Sequence, residues 1–316
     1  MKEKMKEKYF LIFAHQHNIH MKIAVVGLGF VGLAHALVLS KHHEVVGYDI
    51  DEKKVSVLKE RRLPFYEKSM EEYISSTGDV FERIEFTGNI SDIKDCDCYL
   101  VCIGTGVEKY SDENIMSFFR SFRYSGAIIV KSTLLPGTTR KIKAVLEENS
   151  LLYGKDFLLI YSPEFLREGS AIEDILEPDK LVAGINFDEE KKVVERVYSF
   201  LSPSVPRIYT NWETAELIKL AQNAFLALKI SFINNLMYIS WKRNWDIDFK
   251  TLADALQLDE RVGRGHIYPG LGFGGSCLPK DTRLLSSLEE EFSLLKEAVR
   301  INDENVRIIV ERLREK

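Results

Sequence analysis

From Met21 onward, short apolar runs that end in glycine or a polar residue alternate with longer stretches whose apolar residues recur every three or four positions. The run "KIAVVG" is short and unbroken enough for a strand buried on both faces, and "EVVGYDI", "CYLVCIG", "GAIIVKST", "FLLIYS", "KLVAGI" and "PRIYT" repeat that character. Helical patterns lie between several of them, "VGLAHALVLSKH" and "DEKKVSVLKERR" being the clearest. Strands alternating with helices predict an α/β fold built on a doubly wound parallel sheet. After "PRIYT" the texture changes. "NWETAELIKLAQNAFLALKISFINNLMYISWKRN" holds neither glycine nor proline and reads as one long amphipathic helix. The expected organisation is an N-terminal extension over 1–20, a strand-and-helix domain over 21–205 and a helical domain over 206–316.

Composition narrows the classes. The 316 residues suffice for two domains, and 45% hydrophobic with 29% charged residues is an ordinary globular balance. A formal net charge of −5 argues against a general nucleic-acid binder, although a local cluster of donors still binds a small anion. No apolar run is long enough to span a bilayer. Tyr9 to Ala14 form an apolar patch too short for a signal-peptide core, and the histidines at 15, 17 and 20 are weak evidence for a metal tract. Cys96, Cys98 and Cys102 fall on one apolar segment at a spacing that matches no zinc pattern, so buried thiols of a strand are expected, with no metal site. Four cysteines without a disulfide framework fit a reducing cytoplasm.

Candidate chemistry sits first on the turn "GLGFVG". It follows a strand and opens a helix, and Asp49 ends the next strand about twenty residues on. Gly27 permits the tight turn, Gly29 lets backbone N–H groups approach a pyrophosphate, and Gly32 allows close helix–strand packing. Asp49 can accept from adenosine ribose hydroxyls and would repel a 2′-phosphate, so NAD is expected over NADP. Lys53 and Lys54 follow closely enough to approach the ribose or phosphates. Two further strand ends carry Thr105 and Ser132–Thr133, where ligands gather in open parallel sheets. "YSPEFLREGSAIED" carries Glu164 and Glu168 four apart, hence on one face if the segment is a helix.

The second half supplies a nucleophile. In "GLGFGGSCLPKDTRLL", glycines at 270, 272, 274 and 275 give backbone and ligand access to Cys277. Lys219 or Lys280, or a helix N-terminus near Pro279, favours thiolate there, and Asp281 can orient a water or relay a proton. On the long helix Lys219 and Asn223 share a face and interrupt apolar surface. A thiol beside NAD points to oxidation of an aldehyde through a thiohemiacetal to a thioester.

These pieces together, "GLGFVGL", "VKSTLLPGTT", "SPEFLREGSAI", "AELIKLAQNAFLALKISFINNL", "DERVG" and "GFGGSCLPKDTRLL", resemble the nucleotide-sugar dehydrogenases that include UDP-glucose 6-dehydrogenase and GDP-mannose 6-dehydrogenase. The resemblance implies a Rossmann-like domain, a helical central domain and four-electron oxidation of a sugar C6 to the uronate with NAD. UDP-glucose is the expected substrate, with GDP-mannose or a truncated, non-catalytic NAD-binding dimer as alternatives. It makes Cys277 the nucleophile. Lys219, Asn223 and Asp281 then hold oxyanion and catalytic water, Glu164 assists thioester hydrolysis, and Thr133 is a water or NAD contact. Gly27, Gly29, Gly32, Asp49, Lys54, Thr105 and Glu168 match the cofactor side. Arg261, with Tyr268 and Gly274, matches the substrate side, Arg261 reaching a neighbouring subunit's substrate in a homodimer formed through the helix near 213–242. Gly104, Lys229 and Asn235 depart from the family's usual proline, arginine and glutamate. Family members continue beyond the point matching Lys316 into another Rossmann-like domain, so a truncated, split or degenerate member, with a separate third domain as a candidate partner, is the expectation.

Overall fold

The computed structural model describes residues 20–106, 109–288, 291 and 293–314. The expected extension over 1–20 therefore lies, His20 apart, outside the described residues. The contacts divide the chain into two compact units, 1–105 with 112–217 and 106–111 with 218–316.

The first unit holds an eight-stranded sheet. Its strands are β1 (Lys22–Val26), β2 (Glu44–Tyr48), β3 (Ile84–Thr87), β4 (Cys98–Val101), β5 (Gly126–Val130), β6 (Phe157–Tyr161), β7 (Leu181–Gly184) and β8 (Arg207–Thr210), in the order β3-β2-β1-β4-β5-β6-β7-β8. Its helices are α1 (Phe30–Leu39), α2 (Glu52–Lys59), α3 (Lys68–Thr77), α4 (Glu113–Ser121), α5 (Thr138–Glu148), α6 (Ala171–Leu176) and α7 (Asp188–Val197). β1, β4, β5 and β6 are buried nearly throughout, which is why their sequences run apolar without alternation. Order reverses between β1 and β4, so a crevice is expected outside the carboxyl ends of those two strands.

Two features differ from the sequence expectation. β3 has no counterpart among the apolar runs. It is a four-residue edge strand with Glu85 exposed, paired in parallel with β2, so half the usual signal is missing. The sheet is also not wholly parallel. β6 meets β7 antiparallel at Tyr161–Gly184, and β8 then runs parallel to β7. The chain leaving β6 packs α6 against α1 and α3 before β7 enters the sheet reversed. β8 completes this sheet although the expected boundary stood at 205, and the division between units falls at Leu217.

That division lies within α8 (Trp212–Arg243), a continuous helix of 32 residues as its unbroken pattern predicts. The second unit contains α8 from Ile218, α9 (Phe249–Gln257), α10 (Leu278–Ser286) and α11 (Leu294–Arg314). Ile233, Ala253 and Ile267 form a small buried cluster there, and α10 packs on α11. Among the described residues, no helix is long and apolar enough to cross a membrane.

Candidate active site

In the first unit, Gly27 takes φ +89°, a conformation that disfavours L side chains, and a Cβ there would lie 3.0 Å from the Cys102 carbonyl oxygen beyond β4. A Cβ on Gly32 would lie 1.8 Å from the Gly27 carbonyl oxygen, so only glycine lets α1 start this close to β1. Gly29 differs. It is the N-cap of α1 with no side-chain cap, and nothing lies within 4 Å of its Cβ position. The first N–H groups of α1 have no partner within the helix and lie at its positive end. An open cradle of this kind fits a pyrophosphate.

Asp49, buried just past β2, tightens the cradle by accepting from the Leu28 N–H at 2.7 Å. Its carboxylate also accepts from the Asp51 N–H at 2.9 Å and from Lys54 Nζ at 2.6 Å. Lys54 is thus placed at the carboxylate expected to read the ribose. Lys53 is exposed, and its backbone N–H donates to the Asp51 cap. Thr105 is buried after β4, and Thr133 half-buried after β5. This set of residues fits an adenine dinucleotide.

The segment after β6 decides the conditional reading of Glu164 and Glu168. Residues 162–167 have no regular structure, and Glu168 lies in a turn. Glu164 and Glu168 therefore do not share a helical face. Glu164 is buried, its Oε2 accepting from the Leu166 N–H at 2.6 Å, while Glu168 is exposed. Two supporting charges escaped the sequence analysis. Lys131, buried at the end of β5, donates to the Pro163 carbonyl at 3.2 Å and so braces the Glu164 segment. Glu216, fully buried, accepts from the Gly137 N–H at 2.6 Å and from the Thr139 N–H and hydroxyl, each at 2.7 Å. It caps α5 from another element and fixes the loop that carries Thr133; burial raises its pKa. A lysine inside an apolar strand run was the legible signal for the first. Glu216 gave none.

Three thiols are structural in environment. Cys98 is in β4, with Cys96 before it and Cys102 after it, and all three are buried. Burial pushes Cys96 and Cys102 up to about 12. No group of three or more metal-ligating side chains occurs among the described residues.

In the second unit Cys277 is exposed and is the N-cap of α10, which has proline in its first turn. The helix start expected near Pro279 is thus at the thiol itself. Within its first turn Asp281 is fully buried. Asn223 Nδ2 donates to Asp281 Oδ2 at 2.6 Å, and Lys280 Nζ is paired with Oδ1 at 2.8 Å. Lys280 is therefore paired with Asp281, and Lys219, on α8, is also buried. Asn223 and Lys219 lie one helical turn apart on α8.

The glycines ahead of Cys277 divide. Gly274 and Gly275 have open space at their Cβ positions, as access to the sulfur requires. Gly272, at φ +118°, would put a Cβ 2.4 Å from Asn302 Oδ1; it serves packing against α11 instead of ligand access. Arg261 and Tyr268 are exposed and engage near neighbours: Arg261 pairs with Asp259, and the Tyr268 hydroxyl with Asp254.

Residues 21–202 match the NAD binding domain of the UDP-glucose/GDP-mannose dehydrogenase family, and residues 213–304 match its central domain. The UDP-glucose 6-dehydrogenase of Rickettsia typhi is 35% identical over 296 residues, covering 89% of this chain and 67% of its own. Uncharacterized protein MJ1054 of Methanocaldococcus jannaschii is 38% identical over 92% of this chain but 33% of its own, so the chain spans about a third of that relative's length. Among solved structures, a UDP-glucose dehydrogenase from Pyrobaculum islandicum superposes with a TM-score of 0.82 at 32% identity, covering 93% of this chain and 71% of that one. The UDP-D-ManNAc dehydrogenase of Pyrococcus horikoshii gives 0.83 at 26% identity, with the same two coverages. With both domains matched in sequence and the fold matched by solved structures, this chain belongs to the UDP-glucose/GDP-mannose dehydrogenase family.

Proposed function

We propose that this chain carries the NAD-binding and covalent-catalysis parts of a nucleotide-sugar 6-dehydrogenase acting on UDP-glucose. The overall change is oxidation of a primary alcohol and water by two NAD to a carboxylate, two NADH and three protons. The observation that carries the reading is Cys277: an exposed thiol at a helix N-terminus, one turn from a buried Asp281 held by Asn223 and Lys280.

NAD, when bound, supplies the hydride acceptor for both oxidations, and the Gly27–Gly32 cradle with Asp49, Lys54 and Thr105 holds it. On the protein side, Cys277 Sγ adds to the C6 aldehyde to give a thiohemiacetal. Its oxidation leaves a thioester, and water cleaves that to the carboxylate and free thiol. The thiol keeps the aldehyde bound between the two oxidations. Lys219 and Asn223 stabilise negative charge developing on the C6 oxygen, and Asp281 orients the water. Glu164 is assigned to assist hydrolysis, Thr133 to a water or cofactor contact and Glu168 to the cofactor side. Those three assignments, and Arg261, Tyr268 and Gly274 as substrate contacts, rest on the family motifs.

A homodimer through α8 belongs to the same reading. Phe225, Phe232 and Ile239 are exposed at seven-residue spacing, the repeat of a helix–helix seam. Sedimentation should then give twice the chain mass, and Phe232→Glu the monomer.

The chemistry is tested by incubating wild type and Cys277→Ser with NAD and a panel of nucleotide sugars. Wild type is expected to form NADH with UDP-glucose. Cys277→Ser is expected to accumulate an acyl ester on residue 277, because an oxygen ester hydrolyses more slowly than a thioester. No NADH from any nucleotide sugar, with or without a separately supplied third domain, or uronate formation at wild-type rate by Cys277→Ser, would overturn the reading.

A further inference from the structure

The segment before Cys277 has little rigidity of its own. It contains four glycines between 270 and 275, two of them at positive φ, and it forms neither helix nor strand. Its backbone hydrogen bonds go to three asparagine side chains. Asn234 Oδ1, on α8, accepts from the Gly270 N–H at 2.9 Å. Asn305 Nδ2, on α11, donates to the Gly270 carbonyl at 2.7 Å. One turn earlier on α11, Asn302 uses both ends of its amide on one residue: Oδ1 accepts from the Phe273 N–H at 2.7 Å and Nδ2 donates to the Phe273 carbonyl at 3.1 Å. Asn302 thus pairs with Phe273 as a neighbouring strand would.

Two observations make this pairing more than ordinary packing. Gly272 must lack a Cβ for Asn302 Oδ1 to lie where it does, so the glycine and the amide are fitted to each other. Asn234 is buried, and no hydrogen-bond partner for its Nδ2 is found among the described residues. The Gly270 N–H fixes which end of that amide faces the loop. Phe273 itself is buried, and four residues later the chain reaches Cys277.

We propose that Asn302, assisted by Asn305 and Asn234, is a positioning residue for the nucleophile: it fixes the backbone at Phe273 and thereby holds Cys277 at the start of α10. The role rests on the proposed function, in which Cys277 is the nucleophile. A misplacement of about 1 Å at a reacting atom costs on the order of a hundredfold in rate, so the pairing matters to chemistry more than to folding. The side chain must be a short primary amide. A carboxylate lacks the donor and opposes the Phe273 carbonyl; an aliphatic group offers neither bond.

The test reads Cys277 directly, by mass-spectrometric measurement of its alkylation rate with iodoacetamide. The other three cysteines are buried, and neither NAD nor a nucleotide sugar is needed, so the result stands apart from whether the chain oxidises sugars. Asn302→Asp and Asn302→Leu are expected to slow alkylation tenfold or more at neutral pH, because a loop released from α11 no longer holds the sulfur at its exposed place at the start of α10. NAD affinity, a property of the other unit, should change less than twofold. Ser231→Ala is the structural control. It removes a different bond between α8 and α11, Ser231 Oγ to the Ala298 carbonyl at 2.6 Å, and should lower the melting temperature while leaving Cys277 alkylation within twofold. If the Asn302 variants do not fold, Asn305→Ala removes only the Gly270 contact and should slow alkylation about threefold. Alkylation at wild-type rate in a folded Asn302 or Asn305 variant, or equal slowing in Ser231→Ala, would overturn the proposal.

Discussion

Asn223 donates to Asp281 across 58 residues of sequence, Nδ2 to Oδ2 at 2.6 Å, in a buried pair that joins the long helix to the first turn after Cys277. The same carboxylate carries the buried ammonium of Lys280. Removing Asp281 as Asp281→Ala therefore strands a cation as well as an amide, and should destabilise the second unit by about 3–5 kcal/mol. Asn223→Ala leaves the ion pair intact and should cost about 1–3 kcal/mol. Denaturant unfolding of both variants checks the order; an equal or larger loss in Asn223→Ala would contradict it.

Gly29 and Gly32 are expected to fail in different ways. Gly32→Ala forces a Cβ against backbone at 1.8 Å and should prevent stable folding of the sheet. Gly29→Ala meets nothing in the protein, so the melting temperature should stay within a few degrees while NAD affinity falls at least tenfold. Circular dichroism and calorimetric titration separate the two. A Gly29→Ala protein that binds NAD normally would remove the pyrophosphate from this cradle.

On the proposed reading, Asp49 and Lys54 set cofactor choice. The Asp49 carboxylate is buried just past β2 and holds Lys54 at 2.6 Å. NADP should bind at least tenfold more weakly than NAD, because a 2′-phosphate meets that charge. Asp49→Ser should narrow the gap by weakening NAD and relieving NADP. Equal binding of both cofactors by wild type would refute the assignment.

His35 predicts an acid-sensitive limb. The ring is buried in α1, with Nδ1 2.8 Å from the Val31 carbonyl and the Tyr198 ring at its edge. Burial, and then the Lys131 charge, lower its pKa from 6.5 to about 3. The native state resists protonation that the unfolded chain accepts. Stability from this group is therefore full above pH 6.5 and is lost as pH falls toward 3. Melting temperature against pH should drop over that window in wild type and drop less in His35→Leu. Identical slopes would place the acid sensitivity elsewhere.

How much was legible varies residue by residue. β1, β4, β5 and β6 could be read from composition because burial on both faces leaves no polar position to confuse the pattern. α8 was legible because 32 residues without a breaker admit one reading. β3 was not, since an edge strand with an exposed glutamate carries half the signal. Glu164 and Glu168 had the right spacing for a shared helical face, but spacing carries that meaning only on a helix, and the chain there is irregular.

The sequence by itself determined the alternation of strand and helix, the glycine turn with its acidic partner, and the identity of Cys277 as the thiol set apart from the other three. These are local matters: periodicity, backbone freedom and residue type act over a few positions. Tertiary structure decided which charges meet. Lys280 reads as a neighbour of Cys277 yet is spent on Asp281; Glu216 reads as one more helical acid yet caps α5; and Asn302 bears no motif at all yet pairs with the backbone leading to Cys277. A hydrogen bond depends on two groups arriving within about 3 Å, and for residues far apart in the chain only the packing of helices and strands brings them there.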